Sequence, residues 1–366
     1  MTKDNSTLLL RHDDIASIVS RVGPDSFMSE MISRLRTAMA GYQPDDFEIP
    51  VRNGFRYQNP VAGLVEWMPL HEKGIQVFLK AVGYHPTNPA NTGLPTVVST
   101  LSRFDSRTGQ ATIIADGALL TAIRTGAASA VATDLLSDPN ASDLGLIGCG
   151  AQAISQFHGI SLVRDLKTVR LYDTDEANAA SFEERIAAIR PIGVDVEICG
   201  RDEVVRESSI LCTATSVGVN QGPVLEDVDV RSNLHVNAVG SDMPGKIEIP
   251  KTILKRSLVV PDFLDQAVIE GECQQLRRDE IGPSILSVVA NPDLFKPRQN
   301  SLTVFDSTGW TLEDSVALEL ALQHASTLKI GSRLQLSASK NDPWNPYDSL
   351  FADSLQPSSV SDDLCK

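Results

Sequence analysis

The sequence predicts an α/β protein that combines a doubly wound parallel sheet with a separate α+β domain. Its 366 residues are enough for about two domains. Between residues 143 and 306, apolar strand-like runs alternate with helix-like segments, a pattern typical of a parallel sheet with helices on both faces. Residues 47–112 instead contain short β-rich runs separated by Gly, Pro, Asn and Asp, which favours a mostly antiparallel sheet.

The first part of the chain begins with two predicted helices within residues 13–40, where apolar side chains recur at helical spacing. Four predicted strands follow at residues 63–68, 75–82, 96–103 and 110–115. The segment from Asp105 to Gly109 predicts a hairpin turn. An Ala-rich helix over 119–136 leads into the alternating part of the chain, and a long helix over 311–328 follows that part.

Seven strands are predicted in the alternating part, at 144–149, 168–173, 194–199, 209–214, 234–240, 257–261 and 302–306. Helical patterns over 151–164 and 176–190 lie between them. The expected domains are residues 1–128, rejoined by residues 312–350, and residues 129–311. The tail from Asn341 onward is rich in Ser, Asp and Pro, and residues 355–366 are expected to be disordered.

A glycine fingerprint joins the first alternating strand to its helix. The segment from Gly145 to Ala153 reads Gly-Leu-Ile-Gly-Cys-Gly-Ala-Gln-Ala, so an apolar strand runs into G-x-G-x-x-A. Gly148 permits the tight turn, Gly150 lets a pyrophosphate approach the backbone, and Ala153 lets the helix lie close to the strand. Free N–H groups at the helix N-terminus can then bind the phosphates. The segment therefore predicts a Rossmann-type dinucleotide site.

An acid at the end of the next strand indicates which dinucleotide binds there. Asp173 lies 23 residues beyond Gly150, near the spacing expected of a carboxylate that binds the ribose. Its charge repels a 2′-phosphate and no Arg follows it directly, so NAD is favoured over NADP. The alternative is a glycine-rich turn with a chance downstream Asp, which the strand–helix–strand context disfavours.

Composition restricts the partners and the compartment. The net charge is −15, from 47 Asp and Glu against 32 Lys and Arg, so the surface repels nucleic acid and anionic membranes. No apolar run is expected to span a bilayer, and no signal-like N-terminus is found, which favours the cytoplasm. The 5 cysteines form no C-x-x-C pair and the 6 histidines form no cluster, so no metal is expected. Neither a G-x-S-x-G elbow nor a P-loop occurs.

Three cations in the first part of the chain are candidates for binding a carboxylate. Arg52, Lys80 and Arg124 each lie in an apolar or Gly-rich neighbourhood. Long charged side chains among small residues often line a cavity, and converging cations can clamp an anionic group. The alternative for each of them is an ordinary surface or paired charge.

Two carboxylates are candidates for moving protons. Asp242 follows the strand over 234–240, and ligands of doubly wound sheets bind just beyond the carboxyl ends of strands. A turn or capping Asp is the alternative, since Asp is common in turns. Glu66 lies between apolar residues, where it is either a partly desolvated acid or a side chain that alternation points outward.

Ordered segments along the chain resemble the ornithine cyclodeaminase/mu-crystallin family over roughly residues 14–328. The segments are Glu66–Pro69, Lys80 with His85–Pro89, Ala122–Ala130, Gly148–Ala153, Asn237–Glu248, Glu270–Leu276 and Val304–Gly309. Within the family, the chain is most similar to bacterial lysine cyclodeaminases and nearly as similar to ornithine cyclodeaminases.

The resemblance implies a role for each candidate residue. Arg52, Lys80 and Arg124 fall where the family grips the substrate α-carboxylate. Asp242 falls on the catalytic acid/base, and Glu66 falls on a second carboxylate that handles the substrate amine or a water. Thr308 and Trp67 depart from the ornithine pattern near the substrate side chain, where Thr308 replaces an apolar residue. The implied cofactor contacts are Thr96, Arg124, Gly148, Gly150, Ala151, Gln152, Asp173, Thr215, Val239, Gly240, Ser241, Lys246 and Ser307.

The implied reaction is a cyclodeamination in which a basic L-amino acid releases ammonia and closes to a cyclic imino acid, while NAD is regenerated in each turnover. L-lysine to L-pipecolate is favoured over L-ornithine to L-proline, although one methylene is worth only about 1–3 kcal/mol in a pocket. Two further functions fit the same scaffold: a net NAD-dependent amino-acid or opine-type dehydrogenase, and a non-catalytic, mu-crystallin-like NAD(P)H-binding protein. The family also implies a homodimer built through the first domain, which would bind the substrate, with the second domain binding NAD.

Overall fold

Two β-sheets organise the chain in the computed structural model, which describes residues 6–189, 193–227, 230–336 and 344–347. The disorder expected over 355–366 lies outside the described residues. The strands are β1 (Thr7–Leu10), β2 (Phe47–Glu48), β3 (Asn53–Tyr57), β4 (Gly63–Glu72), β5 (Gln76–Tyr84), β6 (Val97–Asp105), β7 (Ala111–Asp116), β8 (Asp143–Ile147), β9 (Thr168–Tyr172), β10 (Asp195–Ile198), β11 (Ile210–Thr213), β12 (His235–Ala238), β13 (Leu258–Pro261), β14 (Thr303–Asp306) and β15 (Ser332–Leu334).

Helices pack on both sheets. They are α1 (His12–Val22), α2 (Pro24–Ala40), α3 (Asn88–Asn91), α4 (Ala118–Leu136), α5 (Ala151–Ser161), α6 (Glu176–Ala180), α7 (Phe182–Ala187), α8 (Arg201–Glu207), α9 (Lys251–Lys255), α10 (Leu264–Glu270), α11 (Ile285–Ala290), α12 (Pro292–Phe295) and α13 (Thr311–Leu328). The single helical pattern predicted over 176–190 is wrong, because the chain breaks into α6 and α7. Ser181 lies at the break, and its hydroxyl donates to the Ala177 carbonyl at 2.8 Å, a bond that competes with the helical ladder.

The first sheet is mostly antiparallel, as predicted. Its order is β15-β1-β7-β6-β5-β4-β2, with β3 also paired to β4, and β1 with β7 is its one parallel pair within the described residues. The short strands β1, β2, β3 and β15 were not predicted. They are 2 to 5 residues long, too short to show an alternation.

The second sheet is the predicted Rossmann-type doubly wound sheet, and this fold class is confirmed. Its order is β10-β9-β8-β11-β12-β14-β13, with every strand parallel to its neighbours. From β8 the chain builds outward to β10 on one side and then returns to place β11 on the other. The carboxyl ends of β8 and β11 therefore flank the switch point, where such folds bind their ligands.

The helix α4 corrects one expectation from the sequence. With 19 residues it is long and apolar enough to cross a bilayer, the one such helix in the described part of the chain. However, 78% of its apolar window is buried inside the protein, as expected of a core helix that is apolar on all sides. Its Gly126 lies against α5, where a Cβ would come 2.2 Å from the Ser155 carbonyl oxygen, so glycine permits a very close helix crossing.

Candidate active site

The glycine-rich turn lies at the carboxyl end of β8, beside the switch point. Gly148 has a φ of 87°, and a Cβ there would lie 2.7 Å from the Ala214 carbonyl oxygen beyond β11. Gly150 immediately precedes α5, and a Cβ at Gly150 would meet no atom within 4 Å. The backbone at Gly150 therefore faces open space, which leaves room beside the N-terminus of α5 for an anion such as a pyrophosphate.

Asp173 reaches this turn from the end of β9. Its carboxylate accepts hydrogen bonds from the backbone N–H groups of Cys149 at 2.6 Å and Asp175 at 2.9 Å. In α5, Ala151 is exposed and Gln152 is half-buried, whereas Ala153 is fully buried. The predicted fingerprint residues therefore come together around one crevice.

A buried acid that the sequence reasoning missed, Glu248, ties together the next two strand ends. Its carboxylate accepts from the N–H and the hydroxyl of Thr215 at 2.7 Å each, from the Thr213 hydroxyl at 2.7 Å and from the Gly240 N–H at 2.8 Å. The Val239 N–H completes the junction by donating to the Thr213 carbonyl at 2.9 Å. No spacing rule marks Glu248 in the sequence, since it lies on a loop that only the fold brings back to the sheet.

Asp242 lies just beyond β12, where the two sheets meet. Lys246 donates to its carboxylate at 2.8 Å, and the same buried ammonium lies 5.2 Å from the ring centroid of Tyr84 on β5. Burial opposes the charge of Lys246, but Asp242 and Tyr84 outweigh it and raise the pKa of Lys246. The Ser241 hydroxyl donates to the Lys246 carbonyl at 2.6 Å. The Asp242 side chain is 32% exposed, so a ligand in the crevice can reach it.

Arg52 lies among three carboxylates, those of Glu270, Glu66 and Asp242. Its Nε pairs with Glu270 and lies 3.8 Å from Glu66, while its Nη2 donates to the Thr308 carbonyl at 2.8 Å. Burial opposes the guanidinium charge, yet Glu270, Glu66 and Asp242 together raise the pKa of Arg52. Glu66 is buried, not turned outward as strand alternation also allowed. One cation is therefore surrounded by an acid from the first sheet, Glu66, and by two acids from segments around the second sheet, Asp242 and Glu270.

The other two predicted cations are buried ion-pair partners in the structure. Lys80 donates to Asp314 at 2.8 Å, and Arg124 contacts Asp314 at 3.1 Å and Glu313 at 2.7 Å. Burial lowers the pKa of Lys80 to about 8, since the attraction of Asp314 is offset by repulsion from Arg124 and Arg52. Burial raises the pKa of Glu313 to about 8. The three cations therefore lie close enough to act on one another.

The sequence reasoning missed the acids that neutralise these cations. Glu313 and Asp314 lie in the first turn of α13, where acids usually serve only to complement the helix dipole. The one available signal was that buried cations require nearby acids. Each acid keeps one buried carboxylate oxygen that has no partner in the part of the chain that the structure describes, Oε1 of Glu313 and Oδ2 of Asp314.

Thr308, which the resemblance places at the substrate, is 5% exposed. Its hydroxyl donates to Asp262 at 3.0 Å and accepts from Gln266 at 2.8 Å, so the side chain is held by the framework, and its carbonyl is what meets Arg52. Ser307, just beyond β14, has a buried hydroxyl with no partner among the described residues. That orphaned hydroxyl fits a group from a bound cofactor.

Thr96 immediately precedes β6, a strand of the first sheet. Its carbonyl accepts from the His85 N–H at 2.8 Å, and the adjacent Val97 pairs with Tyr84, whose ring lies beside Lys246. Thr96 is thereby near the crevice, although its described bond is to the first sheet. No group of three His, Cys, Asp or Glu side chains suited to a metal ion occurs in the described ranges.

The fold and the site together define a Rossmann-type dinucleotide-binding protein in which a cluster of buried charges lies between the two sheets. The chain belongs to the ornithine cyclodeaminase/mu-crystallin family, whose model matches residues 12–328, which confirms the resemblance seen in the sequence motifs.

Three known proteins illustrate the similarity. The L-lysine cyclodeaminase of Streptomyces rapamycinicus is 39% identical over 342 residues, which cover 93% of this chain and 99% of that protein. A solved structure concerning recognition of L-lysine, L-ornithine and L-2,4-diaminobutyric acid by lysine cyclodeaminase superposes with a TM-score of 0.90 at 45% identity, covering 93% and 99% of the two chains. An archaeal alanine dehydrogenase dimer with bound NAD has a TM-score of 0.79 at 29% identity, covering 91% and 100%.

Proposed function

We propose that this protein is an NAD-dependent cyclodeaminase that converts a basic L-amino acid into a cyclic imino acid with release of ammonia, L-lysine to L-pipecolate being favoured. One observation carries the proposal: Lys80, Arg124 and Arg52 lie beside one another, while Glu66 and Asp242 lie around Arg52. The crevice therefore offers cations to an α-carboxylate and acids to an amine. The relatives that act on or recognise lysine and ornithine support the same assignment.

The residues of the chain supply binding and proton transfer. Arg52, Lys80 and Arg124 would clamp the α-carboxylate, so that the amino acid lies with its Cα toward the cofactor crevice. Asp242 or Glu66 would take a proton from the distal ammonium, which must be neutral before its nitrogen can attack the α-carbon. The same acid can return that proton to the departing ammonia.

The crevice fits NAD. The open space at Gly150, the acid Asp173 on the ribose side and the orphaned hydroxyl of Ser307 match a dinucleotide lying across the switch point. Thr96, Thr215, Val239, Gly240, Ser241 and Lys246 are proposed to line the rest of its path. When bound, NAD supplies hydride transfer at the amino-acid Cα, with no net oxidation over a complete turnover.

The proposal is tested by stoichiometry. The purified protein is incubated with L-lysine or L-ornithine and a catalytic amount of NAD⁺, while ammonia, NADH absorbance and product mass are followed. We expect one ammonia per cyclic product, no accumulation of NADH, and a higher kcat/KM for L-lysine. Accumulation of NADH in step with amino-acid consumption would contradict a cyclodeaminase.

A variant of the catalytic acid gives the second test. Asp242→Asn should lower kcat by about 10²–10⁴-fold while NAD still binds. Asp227→Asn is the matched control, because Asp227 is also 32% exposed and also pairs with a cation, Arg256. Equal activity of the two variants would show that Asp242 carries no proton in the reaction.

A net NAD-dependent dehydrogenase is the second candidate, favoured by the similarity to the archaeal alanine dehydrogenase. It predicts NADH formation in step with the keto acid, which the stoichiometry assay detects directly. A non-catalytic protein would bind a nicotinamide cofactor and convert none of the amino acids.

We also propose a homodimer formed through the first domain, taken as residues 1–128 with 312–350, and a cytoplasmic location. Phe55, Val65, Gly83 and Val98 pair in one row across β3, β4, β5 and β6, and the three side chains are 69%, 40% and 39% exposed. Such an apolar row suits burial against a second sheet. Light scattering should give a dimer that Val65→Glu weakens and Ile198→Glu, on the second sheet, does not. A wild-type monomer would contradict it.

A further inference from the structure

Glu270, the last residue of α10, carries a buried carboxylate to which the reaction steps above give no task. Its side chain is 4% exposed and pairs with Nε of Arg52, and its backbone carbonyl accepts from the Ser241 hydroxyl at 3.3 Å. The residue therefore links a predicted substrate-binding cation to the loop that carries Asp242. Arg52 is held at its other end by the Thr308 carbonyl, so it does not depend on Glu270 alone for its position.

The charges around Arg52 do not balance. Arg52 and Lys246 are the buried cations of this cluster, and Glu66, Asp242 and Glu270 are its acids. When Glu270 is ionised, the acids of this cluster outnumber its cations by one. A sixth group, Arg56, approaches Glu66 at 3.6 Å but is 43% exposed, so water screens most of its effect.

Lys80 and Arg124, which lie near Arg52, have acids of their own. Asp314 contacts both cations, and Glu313 contacts Arg124. Counted by residue, two cations face two acids here, so this group adds no formal positive charge to the cluster around Arg52. A ligand that relieves the excess must bring one net positive charge, which an amino acid with a second ammonium does and a neutral amino acid does not.

We infer that Glu270 is a specificity-determining residue that selects an amino acid with a second positive charge, by leaving the cluster around Arg52 one negative charge in excess. This inference rests on the proposed function and names the residue that would separate basic substrates from neutral ones such as alanine. The penalty for an uncompensated buried charge supplies the selectivity, and the distal ammonium of the substrate removes that penalty.

The state of the Glu270 carboxyl supports this role. Burial, helped by the charges of Glu66 and Asp242, raises its pKa to about 7 against the opposing effect of Arg52. Below about pH 7 the carboxyl gains a proton and the excess charge is lost. The preference for a basic amino acid should therefore weaken as the pH falls through this range.

The test measures binding without turnover. The holoenzyme is saturated with NADH, which cannot accept a hydride, and calorimetry gives the Kd of L-lysine and of L-norleucine, which has the same carbon chain without the second amine. Glu270→Gln keeps an oxygen for Arg52 but removes the charge. We expect the wild-type preference for lysine to fall by about 10- to 100-fold in this variant.

Glu197→Gln is the matched control, because it makes the same change of net charge on β10, where Glu197 pairs with Arg170 at 3.0 Å. Its preference should equal that of the wild type. If Glu270→Gln weakens lysine and norleucine equally, or changes neither, the inference is wrong and Glu270 only positions Arg52.

Two further measurements keep the outcome interpretable. If Glu270→Gln does not fold, Glu270→Asp, which keeps the charge, should retain the lysine preference, and the wild-type preference should still fall between pH 8 and pH 6. A preference that is constant over this range would overturn the inference. Failure of the proposed function is recognised separately, since it would show as absence of cyclic product from the wild-type enzyme with NAD⁺ and lysine.

Discussion

Gly309→Ala should displace Arg124 without changing any charged residue. Gly309 has a φ of 75°, and a Cβ there would lie 2.4 Å from Nη1 and 2.7 Å from Nη2 of Arg124. Because non-bonded atoms need about 3.5 Å, the guanidinium must move by about 1 Å. Its 2.7 Å hydrogen bond to Glu313 would then lengthen beyond bonding range.

The expected effects follow from these distances. Losing a charged hydrogen bond corresponds to about 1.5–3 kcal/mol, and a misplacement of about 1 Å can lower a rate by about 10²-fold. We therefore expect Gly309→Ala to raise KM for the amino acid by about 10- to 100-fold and to lower kcat. The left-handed backbone adds about 1–2 kcal/mol of destabilisation, which must be separated from the effect on Arg124.

Gly109→Ala provides that separation. Gly109 has a φ of 72° in the hairpin turn before β7, and a Cβ there would meet nothing within 4 Å, so it has the same backbone penalty without a displaced cation. Urea unfolding should show a loss of about 1–2 kcal/mol in both variants, while steady-state kinetics should change only in Gly309→Ala. Unchanged kinetics in a folded Gly309→Ala protein would refute the assignment of Arg124 to the substrate carboxylate.

Three other predictions concern the cofactor, the pH profile and the core. Asp173→Ser removes the charge that repels a 2′-phosphate, so the NAD-over-NADP ratio of kcat/KM should fall at least about tenfold; an unchanged ratio would place the ribose elsewhere. Burial outweighs the attraction of Asp314 and lowers the pKa of Lys80 to about 8, so Lys80 loses its proton above that pH. The kcat/KM for the amino acid should therefore decline above about pH 8. A profile that stays flat to about pH 10 would argue against binding of the substrate carboxylate by Lys80. Gly126→Ala places a Cβ 2.2 Å from the Ser155 carbonyl oxygen and should lower the free energy of unfolding by about 1–3 kcal/mol. Urea unfolding measures this change, and a midpoint equal to that of the wild type would contradict the prediction.

Local patterns predicted most of the secondary structure because each pattern is contained within its own segment. The seven strands of the parallel sheet and the helices α1, α2, α4 and α13 follow periodicity and turn residues, and all are found within a few residues of the predicted ends. The break at Ser181 was missed because it depends on one side-chain hydrogen bond. The strands β1 and β15, at one end of the first sheet, were missed because they depend on pairing with distant strands.

In the candidate site, too, some features were predictable from the sequence and others were not. The fingerprint at Gly148 and the position of Asp242 beyond a late strand are local signals, because parallel strands place all their carboxyl ends at one edge. The cations were recognised by their apolar surroundings. Their partners were not, since Lys80 and Asp314 are 234 residues apart and Arg52 and Glu270 are 218 residues apart.

By itself, the sequence determined the fold class, the dinucleotide crevice and the residue types that carry charge. Those properties depend on periodicity and on the conformational freedom of single residues, which act over a few positions of the chain. Only the tertiary structure decided which charges are buried together, and so which of them are balanced. Electrostatic energy depends on distance and burial in space, and neither is written in the separation of two residues along the chain.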